Sequence, residues 1–378
     1  MKKIAIISLF DFRNINYGNK LQTYALNYYL RTNYKNYQIE SLYFRNLLEH
    51  KDKKLFAFIR SKIARIPAKI NSIICSMTIL RERLSRCNEF STQNTRLSDY
   101  ALTWDSLITS DYDAFVVGSD IVWAQFRNGI SKIKFLDFET TKRFTRISYA
   151  ASFGRDWIPE ENTKDVTRCL KKFQCISVRE SSTTKMLSSI GIDNAVHALD
   201  PTLLVSRDEW QNLERKPQLH LGKYIFVYLL GKDANDREYI TRLGKNLNLN
   251  IVTVPYACGE FSFTDKNFGD LQVMDCSPAE WIWLIHNAEY VITDSFHGTV
   301  FSTIFEKKFL VVERQFVENI NNRMIDYLNT IQQNDKMVKI SQVKSFDKFI
   351  WNYENINKLL KEKIEFSKEF LEDALKNI

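Results

Sequence analysis

The chain has 378 residues, 44% of them hydrophobic and 13% aromatic, with only 11 glycines and 6 prolines. That is enough apolar material for two cores, and the composition excludes a fibrous or disordered chain. The net charge of +8 sits in one segment: between Lys51 and Arg86 ten basic residues stand against Asp52 and Glu82, and the rest of the chain sums to zero.

That segment interleaves its charges with Leu55, Phe56, Phe58, Ile59, Ile63, Ile66, Ile70, Ile73 and Ile74. Such a basic amphipathic stretch suits anionic lipid head groups, and equally the solvated face of an ordinary helix. Nucleic acid is not expected, because no recognition motif accompanies the charge. No apolar run reaches the length of a membrane span, and Met1-Lys2-Lys3 leads straight into a strand pattern, so a cytoplasmic location is expected. The six cysteines, at 75, 87, 169, 175, 258 and 276, lack a C-x-x-C pair and suggest neither a disulfide framework nor a zinc module; buried free thiols are expected. His197, His286 and His297 have no ligand spacing, so no metal site is expected.

In chain order, Ile4 to Phe10 reads as a buried parallel strand that empties into the polar loop Asp11 to Asn19. A helix follows, with Leu21, Tyr24, Ala25, Tyr28 and Tyr29 on one face. Asn16, Gly18, Asn19 and Gln22 are placed to meet a ligand beyond the strand end, or else form a glycine turn with asparagine caps. A strand at Gln38 to Phe44 comes next. Tyr112 to Val117 then repeats the design and ends in Gly118-Ser119-Asp120, with Trp123 just after. Arg143 to Ala150 ends in Ala151-Ser152-Phe153-Gly154, Pro159 opens a helix, Cys175 to Val178 delivers Arg179-Glu180, and Val196 to Leu199 runs into Asp200-Pro201-Thr202. This alternation predicts a parallel sheet covered on both faces. Neither a G-x-G-x-x-G fingerprint nor a P-loop is present.

A polar stretch from Ser206 to Gly222 reads as the passage to a second α/β unit, which starts at Tyr224 to Leu230. The expected domains are therefore 1–205, 206–340, and a closing helical segment, 341–378, that packs back on the body. In the second unit, Ser277-Pro278-Ala279-Glu280 has the form of a helix start. Tyr290 to Thr293 delivers Asp294 and Ser295 to a strand end, and His297, Gly298 and Thr299 sit where the next helix begins. Free N–H groups and the helix dipole suit that turn to an anion, Gly298 admits a close approach, and a histidine is the side chain whose ordinary chemistry best suits proton transfer. The plainer alternative is that Asp294 or Ser295 caps the helix and His297 is a bystander. Asn321-Asn322-Arg323 heads another amphipathic helix.

Taken together and in this order, Tyr17-Gly18-Asn19, Val117-Gly118-Ser119-Asp120 with Trp123, Ser148 to Gly154, Ser177-Val178-Arg179-Glu180, Leu199-Asp200-Pro201-Thr202, Asp294 to Thr299 and Asn322-Arg323 resemble the polysaccharide pyruvyl transferase family. The resemblance runs from Ile4 to about Leu328. One departure is Ile121, where the family often has glutamine. The resemblance implies two Rossmann-like α/β domains facing across a cleft, as in GT-B glycosyltransferases. It implies transfer of the enolpyruvyl carbons of phosphoenolpyruvate, a co-substrate with no further cofactor, onto two hydroxyls of one sugar. His297 is then the general acid and base, and Arg179 pairs with the carboxylate or phosphate, unless it is a surface ion pair. Ser295, Gly298, Thr299 and Arg323 belong to the donor side. Asn16, Gly18, Asn19, Gln22, Gly118, Ser119, Asp120, Asp200 and Asp294 line the acceptor side or cleft, Asp294 either orienting His297 or capping its helix. A lipid-linked sugar acceptor would give the segment 51–86 a purpose at the inner face of an anionic membrane. The rival readings are a GT-B glycosyltransferase using a nucleotide sugar, since fold does not decide function, and a non-catalytic sugar-binding protein.

Overall fold

The structure is a computed structural model that describes residues 1–43, 67–99, 101, 103–126, 129–314, 321–376 and 378. Its described strands are β1 (Lys2–Ile7), β2 (Tyr37–Ser41), β3 (Ala114–Val117), β4 (Thr145–Ala151), β5 (Cys175–Val178), β6 (Ala195–His197), β7 (Tyr224–Tyr228), β8 (Asn250–Thr253), β9 (Leu271–Gln272), β10 (Tyr290–Thr293), β11 (Lys308–Val312) and β12 (Met337–Val338). They form two parallel sheets, ordered β2-β1-β3-β4-β5-β6 and β12-β11-β10-β7-β8-β9. The period-two alternation of a strand sends successive residues to opposite faces, which explains the continuous apolar runs. Ile4 and Ile6 pack with Ala114 and Val116 on one face of the first sheet, while Ala5 and Ile7 pack with Phe115 and Val117 on the other. The second sheet divides likewise, Phe226 and Tyr228 going to one core and Ile225 and Val227 to the other.

Strand order reverses between β1 and β3 in the first sheet and between β7 and β10 in the second. In open α/β sheets such reversals leave a crevice beyond the carboxyl ends of the strands. The two crevices meet, because the helix Tyr17–Asn33 that follows β1 packs on the second domain. Tyr17, Leu21 and Tyr24 share one core with Trp210, Tyr228, Trp281 and Phe301, and the Tyr17 hydroxyl donates to the Cys276 carbonyl at 2.7 Å.

A second tie comes from the helix Pro67–Asn94, inserted between β2 and β3. The buried Arg83 guanidinium donates to the carbonyls of Met274 and Pro255, both at 2.8 Å, and Arg86 pairs with Asp275 at 2.8 Å and Glu280 at 2.7 Å. These two basic residues therefore face the second domain and are not available to a lipid surface. Residues 51–66 of the basic segment lie outside the described residues.

Several local expectations shift. The first strand ends at Ile7, because the residues after it form a loop rather than extending the ladder. The Ser206 to Gly222 passage contains a helix, Arg207–Leu213, started by a capping box between Ser206 and Glu209 and anchored by the buried Trp210. The final helix, Tyr353–Lys376, spans both halves: Ile356 and Leu360 join the shared core, and Leu371, Ala374 and Leu375 join a core of the first sheet. Among the described cysteines Cys87, Cys169 and Cys276 are buried free thiols, but Cys258 is exposed, because its loop lies beyond β8 on the surface.

Candidate active site

The first domain contributes a set of carboxylates around one arginine. Asp120 follows β3 with φ at +63°, a conformation uncommon for a residue with a side chain and frequent at functional sites. Gln22 holds that loop by accepting the Ser119 N–H at 3.0 Å, and the Ser119 hydroxyl donates to the Ala150 carbonyl at 2.8 Å. Gly118 is packed so closely that an added Cβ would lie 2.0 Å from the Tyr149 carbonyl oxygen. Asn19 donates to Asp120. Arg179, at the end of β5, is buried and donates to Glu180 at 3.0 Å, to Asp120 at 3.0 Å and to Asp200 at 3.2 Å. Asp200 is itself fixed by the N–H and hydroxyl of Thr202.

The second domain contributes the helix Phe296–Ile304. Its cap is Ser295, whose side chain accepts the Gly298 N–H at 3.3 Å. His297 therefore projects from the first turn across the domain boundary. Its Nε2 lies 3.5 Å from Asp200 Oδ2, within reach of an ion pair though beyond a well-formed hydrogen bond, and its Nδ1 lies against Gly18, where an added Cβ would come within 2.1 Å. Phe296 sets its ring 4.1 Å from the Arg179 guanidinium carbon, a cation–π contact between domains. Arg323, from the helix Asn322–Thr330, approaches Asp120 at 3.9 Å.

The result is a buried charge cluster of Asp120, Glu180 and Asp200 with Arg179, Arg323 and His297. Burial pushes the Asp120 carboxyl up, but Arg179, His297 and Arg323 outweigh it and hold the carboxyl below its ordinary range. Asp200 is held down as well: burial again opposes, and His297 and Arg179 prevail. For Arg179 burial favours the neutral form, yet Glu180, Asp120 and Asp200 raise its affinity for the proton. Arg323 is shifted the other way, lowered by burial and then by the neighbouring Arg179. Two guanidinium groups thus stand close enough to repel, and Arg179 Nη2, Arg323 Nε and His297 Nε2 are buried without a hydrogen-bond partner. An oxyanion among them would relieve both conditions. A cavity of about 550 Å³ lies elsewhere, at the far ends of the two helices that meet at Gly18 and His297, between Tyr28, Leu203 and Ile304.

Asp294 requires a correction. It neither orients His297 nor caps its helix. Its carboxylate takes the N–H groups of Leu230 and Gly231 at 2.6 and 2.7 Å and pairs with Arg314, because β7 and β10 are neighbours and bring those loops together. At Gly298 a Cβ would meet Thr293 Oγ1 at 2.4 Å, so packing alone already requires the glycine. Thr299 is fully buried and returns its hydroxyl to the Ser295 carbonyl. Asn16 caps the helix Tyr17–Asn33 by accepting from the Asn19 N–H. Phe296 and Glu180 were visible inside their motifs, but nothing in the spacing marked them as partners of Arg179.

The family model for polysaccharide pyruvyl transferase matches residues 16–315. No curated protein matches the chain. Among solved structures it is similar to the wall teichoic acid polymerase TagF, at 13% identity over 100% of this chain and 90% of that one, with a TM-score of 0.49. It is also similar to UDP-GlcNAc 2-epimerase from Methanocaldococcus jannaschii in complex with UDP-GlcNAc and UDP, at 12% identity over 96% and 93%, TM-score 0.47. The same enzyme from Neisseria meningitidis, bound to UDP-GlcNAc, is 12% identical over 99% and 94%, TM-score 0.44.

Proposed function

Because the chain belongs to the polysaccharide pyruvyl transferase family, we propose that it transfers the enolpyruvyl carbons of phosphoenolpyruvate to a sugar and closes them into a cyclic ketal. The observation that carries this reading is the trio of buried, unpartnered nitrogens on Arg179, Arg323 and His297. A buried donor left unsatisfied costs roughly 1–3 kcal/mol, and an oxyanion bound among these cationic side chains would recover that cost.

In the proposed reaction Arg179 and Arg323 take the carboxylate and phosphate oxygens. His297 gives a proton to carbon 3, and carbon 2 gains cationic character. One sugar hydroxyl adds to carbon 2 and gives its proton to the now neutral His297, which restores the acid. The carbon–oxygen bond to phosphate then breaks, and the second hydroxyl closes the ring, its proton leaving with the phosphate. Asp120 and Asn19 face the acceptor, which is a sugar of a surface polysaccharide or of its lipid-linked precursor.

A nucleotide sugar as donor is disfavoured by Asp294. Its carboxylate already occupies two backbone N–H groups at the reversal point of the second sheet, where a nucleotide phosphate would seek its donors. The test is phosphate release from phosphoenolpyruvate against nucleotide release from sugar nucleotides, in the presence of acceptor glycans. Phosphate release is expected for the intact chain and should fall by about 10³ or more in His297→Ala, with an unchanged circular dichroism spectrum. Unchanged turnover in that variant rejects the role given to His297, and nucleotide release in its place rejects the reaction.

A further inference from the structure

We infer that Trp157 and its loop form a carbohydrate platform at the rim of the charge cluster, stacking a sugar adjacent to the reacting one in the acceptor chain. The sugar class of this ligand rests on the pyruvyl-transfer reading.

The loop leaves β4 through Ser152, whose hydroxyl donates to Glu180 beside Arg179. Gly154 turns it with φ at +67°. Asp156 then accepts from Asn322 of the second domain at 3.3 Å, and Asn322 is the chain neighbour of Arg323 in the cluster. Trp157 follows Asp156 directly, so the indole is anchored to the rim where the domains meet. It is nevertheless 47% exposed. Single exposed apolar side chains are common and carry nothing alone. Here, however, the ring is held in place: the Arg155 guanidinium carbon lies 4.9 Å from its centroid and 5.8 Å from that of Phe126, and Arg155 donates to the Ala124 carbonyl at 3.3 Å. The ring is thus backed by a pinned cation and still open to solvent over about half its surface. On the facing domain, one helical turn from Asn322, Ile325 is 43% exposed.

A pyranose carries C–H groups on its faces and hydroxyls around its edge. It would set a face on the open side of the indole, opposite Arg155, while its edge meets the carboxylate of Asp156 and the amide of Asn322. A protein partner would need a broad apolar patch, whereas the chain around Trp157 is charged, with Arg155, Asp156, Glu160 and Glu161 within four residues of it.

The test is binding of the intact chain to an array of pyranose oligosaccharides of two to six units, compared with Trp157→Ala and Trp157→Phe. Expected is binding to at least one oligosaccharide, weakened by about tenfold in Trp157→Ala and largely regained in Trp157→Phe. Equal binding by Trp157→Ala overturns the inference, and so does a wild-type chain that binds none of the array at millimolar sugar. Both Trp157 variants should keep the wild-type affinity for phosphoenolpyruvate. Absence of phosphate release from phosphoenolpyruvate, with array binding intact and dependent on Trp157, rejects the pyruvyl-transfer reading and leaves the platform standing.

Discussion

Gly18 makes room for the imidazole of His297, and the crowding there is severe enough to be tested by one methyl group. A Cβ at residue 18 would fall 2.1 Å from Nδ1, so Gly18→Ala must move either the ring or the helix Tyr17–Asn33. Displacement of a catalytic group by about 1 Å costs on the order of a hundredfold in rate, so turnover should drop by at least that much while the melting temperature changes little. Unaltered turnover would show that the ring does not act from this position. At this scale His297, Arg179, Asp120 and Asp200 could be read from the sequence, because a parallel sheet gathers its strand-end residues at one crevice. Their pairing could not. Asp200 and Asp294 look alike in sequence, each following an apolar strand, and only the packing of the domains puts Asp200 beside the imidazole and Asp294 on the N–H groups of Leu230 and Gly231.

The helix Tyr17–Asn33 also carries a buried lysine. Lys20 donates to the Asp11 carbonyl at 2.8 Å and to Asn88 at 3.2 Å beneath Phe10, and burial lowers its pKa to about 8. Between that value and the ordinary 10.5 the unfolded chain binds the proton better than the folded one, so this residue's contribution to stability rises as pH increases through that window. The stability of the wild type relative to Lys20→Met, from urea unfolding, should therefore increase from pH 7 to pH 10; a constant or falling difference contradicts the burial argument. The segment Lys51 to Arg86 was read from its charge pattern alone, and the structure changes that reading in part, since Arg83 and Arg86 clasp the second domain. Contact with an anionic membrane is then a proposal about the remaining basic residues. Flotation with anionic vesicles should be lost when Lys53, Lys54, Lys62 and Arg65 are neutralised. Binding that survives those changes rejects it. No helix among the described residues is long and apolar enough to cross a membrane.

For the whole molecule, the two-sheet architecture was legible because strand runs and polar strand ends recur along the chain at spacings only a parallel α/β fold explains. The joining of the halves was not legible. It depends on Tyr17, Trp210 and Trp281 entering one core, and on a final helix that crosses from the second domain to the first. That joining turns two ordinary crevices into one enclosed cluster, with the imidazole of His297 from one half and the guanidinium of Arg179 from the other. The most direct measurement is calorimetric titration of phosphoenolpyruvate into the wild type and into Arg179→Met. The expected result is one molecule bound per wild-type chain, with affinity reduced about a hundredfold in the variant, as loss of a buried charged donor requires. Equal binding by the two proteins, or no binding of phosphoenolpyruvate by the wild type, would contradict the account.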